Sequence, residues 1–459
     1  MALWTAQEIA QATGGTASGD FEVSGVAFDS REVGPGDLFV ALKGETADGH
    51  DFIPRALAAG AAGVLVDRAI EGPCVRVADT TAALDALGVA SRARMAGKVI
   101  GVTGSAGKTG TKEALFSAFD RMSFGAAHRS LKSYNNHVGV PLSLARMPRE
   151  TRYGIFEMGM NHEGELRALT AMVRPHVAVV TTIAPAHIEY FGTEEKIAQA
   201  KGEIFEGLAE GDVAIIPYDS PHRDLLRRLA EPHAARIVTF GLGKGADVRV
   251  IDEAPSSGGG TLVTAQCCTA RLGFTIAMPG RHWVSNALAV IATVEAAGGD
   301  LAQAGLALAE MQGLPGRGAR RHVPTRDGGE ALLIDEAYNA NPASMAVTLA
   351  QLGDEKAKRR IAVLGAMKEL GNQSERLHGG LAGAVRDANV GLAILVGEEM
   401  APLADALRGD LIVERASNAG EAIEMIETVL KDGDVVLVKG SNSVGLSRLV
   451  ERLCASEVA

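Results

Sequence analysis

One run of nine residues constrains this chain more than any other: Gly101-Val102-Thr103-Gly104-Ser105-Ala106-Gly107-Lys108-Thr109. The β-branched stretch leading into it reads as a buried strand, and the TKEALFSAF that follows reads as a helix. Strand, glycine turn and helix in that order make a phosphate-binding loop. Glycines let consecutive backbone N–H groups converge on a polyphosphate, and the helix N-terminus adds the positive end of its dipole. In that frame Gly104, Ser105, Ala106, Gly107 and Gly110 surround the phosphates, Lys108 neutralises β- and γ-phosphate oxygens, and Thr109 holds Mg2+. The spacing departs from the usual G-x4-G-K-[ST]: Val102 stands at the first glycine position, and Gly104 is an added glycine. The plainer alternative is a glycine-rich turn with an incidental lysine.

Such a loop belongs to a parallel sheet. From residue 98 to about 312 the apolar runs YGIFEM, HVAVVTTI and GDVAIIP alternate with helical segments, which implies a parallel sheet covered on both faces. Ahead of it, Thr5 and Glu8 have capping-box spacing and Gly14-Gly15 supplies a helix stop. Short runs such as LFVAL and GVLV follow, with one alanine-rich helix over residues 53–59. Two stretches read as hinged linkers: SRARMAGK over 91–98, and the proline-, glycine- and arginine-rich 313–325. Beyond the second, ALLID, RRIAVLGAM, VGLAILVG and DGDVVLVKGS again alternate with helices. The 459 residues make roughly three domains. The expected fold is α/β: a small mixed domain over 1–92, a central P-loop-type parallel sheet over 93–314, and a Rossmann-like α/β domain over 315–459.

Composition removes several partners. The formal net charge is -11 and aromatics are 4%, which argues against nucleic acid on both backbone attraction and base stacking. Cys74, Cys267, Cys268 and Cys454 form no C-x-x-C pair, as expected of reduced cysteines. No stretch approaches the ~18 uncharged residues of a membrane span, and the first residues carry no signal-peptide pattern. A cytoplasmic protein is expected.

Three more residues carry chemistry. Glu157 ends the strand YGIFEM, and His187 follows HVAVVTTI, so both fall where ligands sit in open α/β sheets. Glu157 is a candidate second metal ligand, whereas a loop histidine can equally be just solvated. In the helical stretch 193–208, Ile197, Ile204, Phe205 and Leu208 share one arc, and Lys201 lies inside it. Either Lys201 snorkels from an apolar stripe, the simpler reading, or it is held as a neutral amine able to form a carbamate with carbon dioxide.

Eight ordered segments, GVTGSAGKTGTKE, NNHVGVPLSL, EMGMNHEGEL, IAPAHIEYFG, AQAKGEIF, PGRHWVSNALA, DEAYNANPASM and VKGSNS, together resemble the Mur ligases over essentially the whole chain. Within that family they resemble the branch that joins D-alanyl-D-alanine to UDP-N-acetylmuramoyl-tripeptide through an acyl phosphate. The resemblance implies ATP as substrate, two Mg2+ ions organised by Thr109, Glu157 and His187, and a carbamylated Lys201 as a further ligand. Asn286, Asp335, Tyr338 and Asn339 would frame the adenosine, and Arg317 would reach the γ-phosphate as the domains close. Ser30, Arg31, Gly49 and His50 would contact the uridine diphosphate. Asn135, Asn136 and His137 would face the muramoyl peptide, with Lys439 and Ser441 also at the substrate. Ala366 and Asn442 depart from the family pattern, which has aspartate and arginine there. A monomer is expected. The competing readings are another ligase of the superfamily, such as a folylpolyglutamate synthetase, and a P-loop nucleotide switch.

Overall fold

The first helix, Ala6–Thr13, forms where the capping box predicts it. Thr5 Oγ1 accepts the Glu8 N–H at 3.2 Å, the Glu8 carboxylate accepts the Thr5 N–H at 2.9 Å, and Gly14 closes the helix in the left-handed region at φ 66°. The structure, a computed structural model, describes residues 2–257 and 260–455.

Three larger sheets organise the chain. The N-terminal sheet runs in the order Thr16–Ser18, Cys74–Arg76, Gly63–Val66, Asp37–Val40, Gly25–Ala27, parallel except for the first strand. The helix Ile53–Ala58 accounts for the alanine-rich segment. The central sheet has nine strands, in the order Arg271–Ile276, Thr261–Gln266, Val248–Pro255, Arg236–Gly241, Val213–Pro217, Val177–Val180, Lys98–Thr103, Tyr153–Glu157, Ala127–Arg129. The C-terminal sheet runs Ala319–Pro324, Glu330–Glu336, Asp434–Lys439, Arg359–Gly365, Leu392–Val396, Ile412–Ala416, parallel except for its first strand.

Both faces of the central sheet are covered, as continuous apolar strands require. Ile100 and Val102 pack on one side with Leu115, Phe119 and Leu288, and Val99, Phe156 and Val180 pack on the other with Leu169 and Phe205. The strand order reverses at Lys98–Thr103, so the phosphate loop leaves the sheet at the crevice where ligands bind in open α/β folds.

Three expectations need correction. The segment 248–276 extends the central sheet with antiparallel strands, so the sheet is not parallel throughout. Residues 91–94 are not linker: the helix Thr80–Arg94 continues through them because Ser91 and Arg92 are buried. Residues 319–324 are the edge strand Ala319–Pro324, which narrows the second connection to the turns around Leu314–Gly318.

Candidate active site

The phosphate loop is shaped by what lies against its glycines. Gly104 has φ 151°, and a Cβ there would fall 1.9 Å from Thr181 Oγ1. Gly107 caps the helix Lys108–Ser123 at φ 80°, with Asn286 Oδ1 2.8 Å from where its Cβ would be. Only glycine fits either position. The loop is also tied down. Lys108 Nζ donates to the Gly104 carbonyl at 2.7 Å, Ser105 Oγ donates to the Ala184 carbonyl at 2.8 Å, and Thr181 Oγ1 donates to the Ala106 carbonyl at 2.6 Å. Ser105 therefore spends its hydroxyl on the neighbouring loop and offers a ligand mainly its backbone.

Thr109 and Glu157 meet as their positions predict: Thr109 Oγ1 donates to Glu157 Oε2 at 2.8 Å, and Asn135 Nδ2 donates to Glu157 Oε1 at 2.8 Å. Glu157 is buried at the end of its strand. A hydroxyl and a carboxylate beside a phosphate loop form a hard oxygen donor set, which suits Mg2+. Among the described residues no group of three or more His, Cys, Asp or Glu forms a metal cage. A cation here would draw its remaining ligands from phosphate and water.

Lys201 does not snorkel. The helix Glu194–Gly202 and the 3-10 turn Glu203–Gly207 bury it among Ile197, Ile204 and Phe205, at 2% exposure. Burial first, and then the Lys108 ammonium, push its amine well below the usual lysine value. Lys108 is itself pushed down by burial, against the pull of Glu157 and with the repulsion of Arg317.

The opposite wall comes from the C-terminal domain. A cavity of about 290 Å3 lies between the two, lined by Ser105, Lys108 and His187 on one side and by Tyr338, Asn339 and Ser441 on the other. Arg317 Nη2 donates to Ser133 Oγ at 3.0 Å, and its guanidinium lies 4.0 Å from the centre of the Tyr338 ring. Asn442 also lines the cavity, whereas Ala366 is buried and its carbonyl accepts the Ser441 N–H at 3.2 Å.

Two residues expected at ligand are turned inward. Asp335 accepts the Gly316 N–H at 2.7 Å and the Ala337 N–H at 3.2 Å, so it shapes the connection carrying Arg317. Lys439 donates to the Asn339 carbonyl at 2.9 Å and pairs with Glu336 at 3.4 Å. Asn339 in turn uses its side chain on the Ala340 N–H at 2.8 Å.

In the N-terminal domain His50 is buried between Asp48, 2.6 Å from Nδ1, and Asp67, 3.2 Å from Nε2. Ser30 is buried, and Gly49 lies against the backbone of Leu42. Arg31 is exposed and paired with Asp29 at 2.6 Å. Asn136 caps the turn into the helix Gly139–Ala145 through the Gly139 N–H at 2.9 Å, and His137 is exposed.

Sequence reasoning missed Glu369, whose carboxylate lies 2.5 Å from His187 Nδ1, and Asn341, whose side chain reaches the Ser105 carbonyl at 3.5 Å. It also missed Lys112, fully buried one helical turn beyond Lys108. Its i+4 spacing from Lys108 was the available signal.

Comparison with known proteins agrees along the chain. The domain described as Mur ligase family, catalytic domain, matches residues 22–100; the Mur ligase middle domain matches 102–294; and the Mur ligase, glutamate ligase domain matches 320–442. The UDP-N-acetylmuramoyl-tripeptide--D-alanyl-D-alanine ligase of Synechocystis sp. is 34% identical over 445 residues, covering 95% of this chain and 93% of that one. A crystal structure of MurF from Acinetobacter baumannii superposes with a TM-score of 0.84 at 31% identity, covering 98% and 99% of the two chains. The MurF ligase of Thermotoga maritima in complex with ADP gives 0.77 at 26% identity, over 94% and 97%. With its phosphate loop, buried lysine and facing third domain in this arrangement, the chain belongs to the Mur ligase family.

Proposed function

We propose that this chain joins D-alanyl-D-alanine to the terminal carboxylate of UDP-N-acetylmuramoyl-tripeptide, converting ATP to ADP and phosphate. Full-length similarity to ligases of that name supports the reading. The observation that carries it in the structure is the convergence of cations from two domains. Arg317 lies near enough to lower the buried Lys108, and it also repels the buried Lys439. Polyphosphate relieves that repulsion.

On this reading residues 1–92 hold the sugar nucleotide through Ser30, Arg31, Gly49 and His50. Residues 93–314 hold ATP on Gly104 to Gly110, with Asn286 behind Gly107. Residues 315–459 close over it with Arg317, Tyr338 and Asn339 and receive the dipeptide near Ser441. Asp335 and Lys439 act through the segments they brace, and Asn135, Asn136 and His137 border the muramoyl peptide. Among the described residues no helix is long and apolar enough to cross a membrane. One chain supplies both walls of the cavity, which supports an enzyme that works as a monomer, and its soluble substrates support a place in the cytoplasm.

A carboxylate is a poor electrophile because its charge is delocalised and its leaving group would be oxide. In the first step a peptide carboxylate oxygen bonds to the γ-phosphorus of ATP as the β–γ bridging bond breaks. ADP leaves and an acyl phosphate remains. Lys108 and Arg317 neutralise the charge that moves between the phosphates, and the tied-down loop keeps the reacting atoms in line. In the second step the neutral amine of the dipeptide bonds to the acyl carbon, phosphate departs with the bonding pair, and the amine loses a proton. Domain closure keeps water from the acyl phosphate. Thr109, Glu157, His187 and a carbamate on Lys201 would hold the Mg2+ ions, which would supply further positive charge against the phosphate oxygens. That carbamate forms when the neutral Lys201 amine bonds to carbon dioxide and releases a proton. Protein equilibrated with 13C-bicarbonate is expected to show one carbamate carbon resonance that Lys201→Arg lacks; an unchanged spectrum in that variant rules the carbamate out.

Phosphate release tests the whole reading. It is expected only when ATP and Mg2+ are joined by both the tripeptide nucleotide and D-alanyl-D-alanine. Turnover without an acceptor amine would make the chain a nucleotide switch, and preference for a single amino acid would make it a different ligase of the superfamily.

A further inference from the structure

Segment 130–136, which follows the edge strand Ala127–Arg129, touches all three domains. Toward the N-terminal domain, Lys132 Nζ pairs with the Glu32 carboxylate, and Tyr134 Oη donates to the same oxygen at 2.7 Å. Toward the phosphate loop, the buried Lys112 Nζ donates to the carbonyls of Ser130 at 2.9 Å and Lys132 at 2.7 Å. Ser130 Oγ accepts the Glu157 N–H at 3.2 Å, and Asn135 holds the Glu157 carboxylate. Toward the C-terminal domain, Ser133 accepts from Arg317.

The segment is also held in an unfavourable shape. Lys132 has φ 51°, a left-handed conformation that residues with side chains rarely adopt. Such a conformation persists only where its surroundings over-determine it. Here the carbonyl of Lys132 is pinned by Lys112 and its ammonium by Glu32, so releasing either end removes one of the constraints that hold this conformation.

We propose that segment 130–136 couples sugar-nucleotide binding to ATP binding, with Glu32 as the positioning residue that transmits occupancy of the N-terminal domain. Glu32 touches no reacting atom. It sits in a tight turn, its N–H donating to the Asp29 carbonyl at 2.9 Å, next to the exposed Arg31. A diphosphate on Arg31 orders that turn. Glu32 then fixes Lys132 and Tyr134, which set the carbonyls that hold Lys112 and the amide that holds Glu157 beside the phosphate loop. By linkage, ATP on its loop strengthens sugar-nucleotide binding by the same factor.

The inference rests on the ligase reading above, and calorimetry on the full chain separates the two. A non-hydrolysable ATP analogue with Mg2+ is titrated with and without UDP-N-acetylmuramoyl-tripeptide. In the wild type the tripeptide nucleotide is expected to tighten analogue binding at least about fivefold. Glu32→Lys, which sets two ammonium groups against each other, is expected to abolish that factor while each ligand alone binds nearly as before. The exchanged pair, Glu32→Lys with Lys132→Glu, is expected to restore it, a recovery that a merely structural role would not give. Full coupling in Glu32→Lys, no recovery in the exchanged pair, or no factor in a wild type that binds both ligands each overturns the inference. A wild type that does not bind the tripeptide nucleotide overturns the ligase reading itself.

Discussion

Arg92 and Arg317 both cross a domain junction, in opposite ways. Arg92 is buried, and Nε and Nη2 each donate at 2.7 Å to a main-chain carbonyl of the central domain, those of Val173 and Arg174. Around it Trp4 Nε1 donates to the Ala145 carbonyl at 2.9 Å and Arg146 Nε to the Val26 carbonyl at 2.5 Å. The N-terminal core takes in Leu142 and Ala145 of the central domain. Arg317 instead reaches a serine hydroxyl beside an open cavity. Its neighbours at that junction include a half-exposed ion pair, His187 with Glu369, the long Asn341 contact to the Ser105 carbonyl, Gln351 Nε2 donating to the Pro279 carbonyl at 2.5 Å, and the Glu189 N–H donating to the Glu369 carbonyl at 3.2 Å. Apolar contact crosses both junctions, since one cluster runs from Phe191 to Leu370. The arginines themselves differ: the carbonyls that Arg92 holds have no substitute partner when those bonds break, whereas the partly exposed Arg317 and the Ser133 hydroxyl can turn to water. Releasing Arg317 therefore costs less than releasing Arg92. The connection over 91–98, which reads as a hinge in sequence, begins as the end of a bolted helix, so on the proposed reading the first domain stays with the central one while the third closes.

The contrast breaks most visibly at Arg317. Arg317→Ala is expected to lower kcat/KM by about 100- to 1000-fold, the effect of losing one preorganised charge, ~2.7 to 4 kcal/mol of barrier. Its thermal midpoint should stay that of the wild type, and a large drop in that midpoint would make Arg317 a second bolt. Arg92→Ala is the mirror image. It strands two buried carbonyls, so urea unfolding should show a loss of about 2 to 3 kcal/mol, with turnover per folded molecule retained. Reduced turnover at full stability would place Arg92 in the chemistry instead.

Acid gives a third comparison. His128, whose Nε2 lies 2.8 Å from the Ser143 carbonyl near the first junction, is held down at about 4 by burial despite that bond. His282, near Lys439 at the second, is held at about 4 by burial and then by that lysine. Each takes up its proton near 6.5 when unfolded and only near 4 when folded. Their contribution is thus whole above 6.5 and is lost as the pH falls to 4. The unfolding free energy from urea titrations should drop over that window by ~1 to 3 kcal/mol per histidine, and His128→Gln should flatten the slope. A slope unchanged in His128→Gln and in His282→Gln would assign the acid sensitivity elsewhere. The smallest effect belongs to Glu369→Gln, which weakens an exposed pair by about 1 kcal/mol or less. A modest rise in KM for ATP that vanishes at high salt is expected; a rise independent of salt would mean that Glu369 does more than hold the door.

Much of the site is legible in sequence because it is local. The loop glycines, Lys108 and Thr109 lie within one short run, Glu157 ends a strand, and His187 lies in the loop after another, each strand announced by its apolar run. The arc that contains Lys201 is visible, but its spacing fits snorkelling and burial equally well. What stays hidden depends on distant partners. That Asp335 turns to Gly316, that Lys439 braces Asn339, and that Lys132 is pinned from two domains are facts about segments between 19 and 100 residues apart. The antiparallel extension over 248–276 escapes for a related reason, since alternating edge strands give a weaker signal than buried parallel ones.

By itself the sequence determined the α/β alternation, the phosphate loop and the family, since each rests on residue types at short spacing along one chain. Only the tertiary structure decided which arginine bolts and which one latches. It likewise decided that Lys201 is buried with no counter-charge beside it among the described residues, because burial and pairing are properties of whichever surfaces the three sheets bring together.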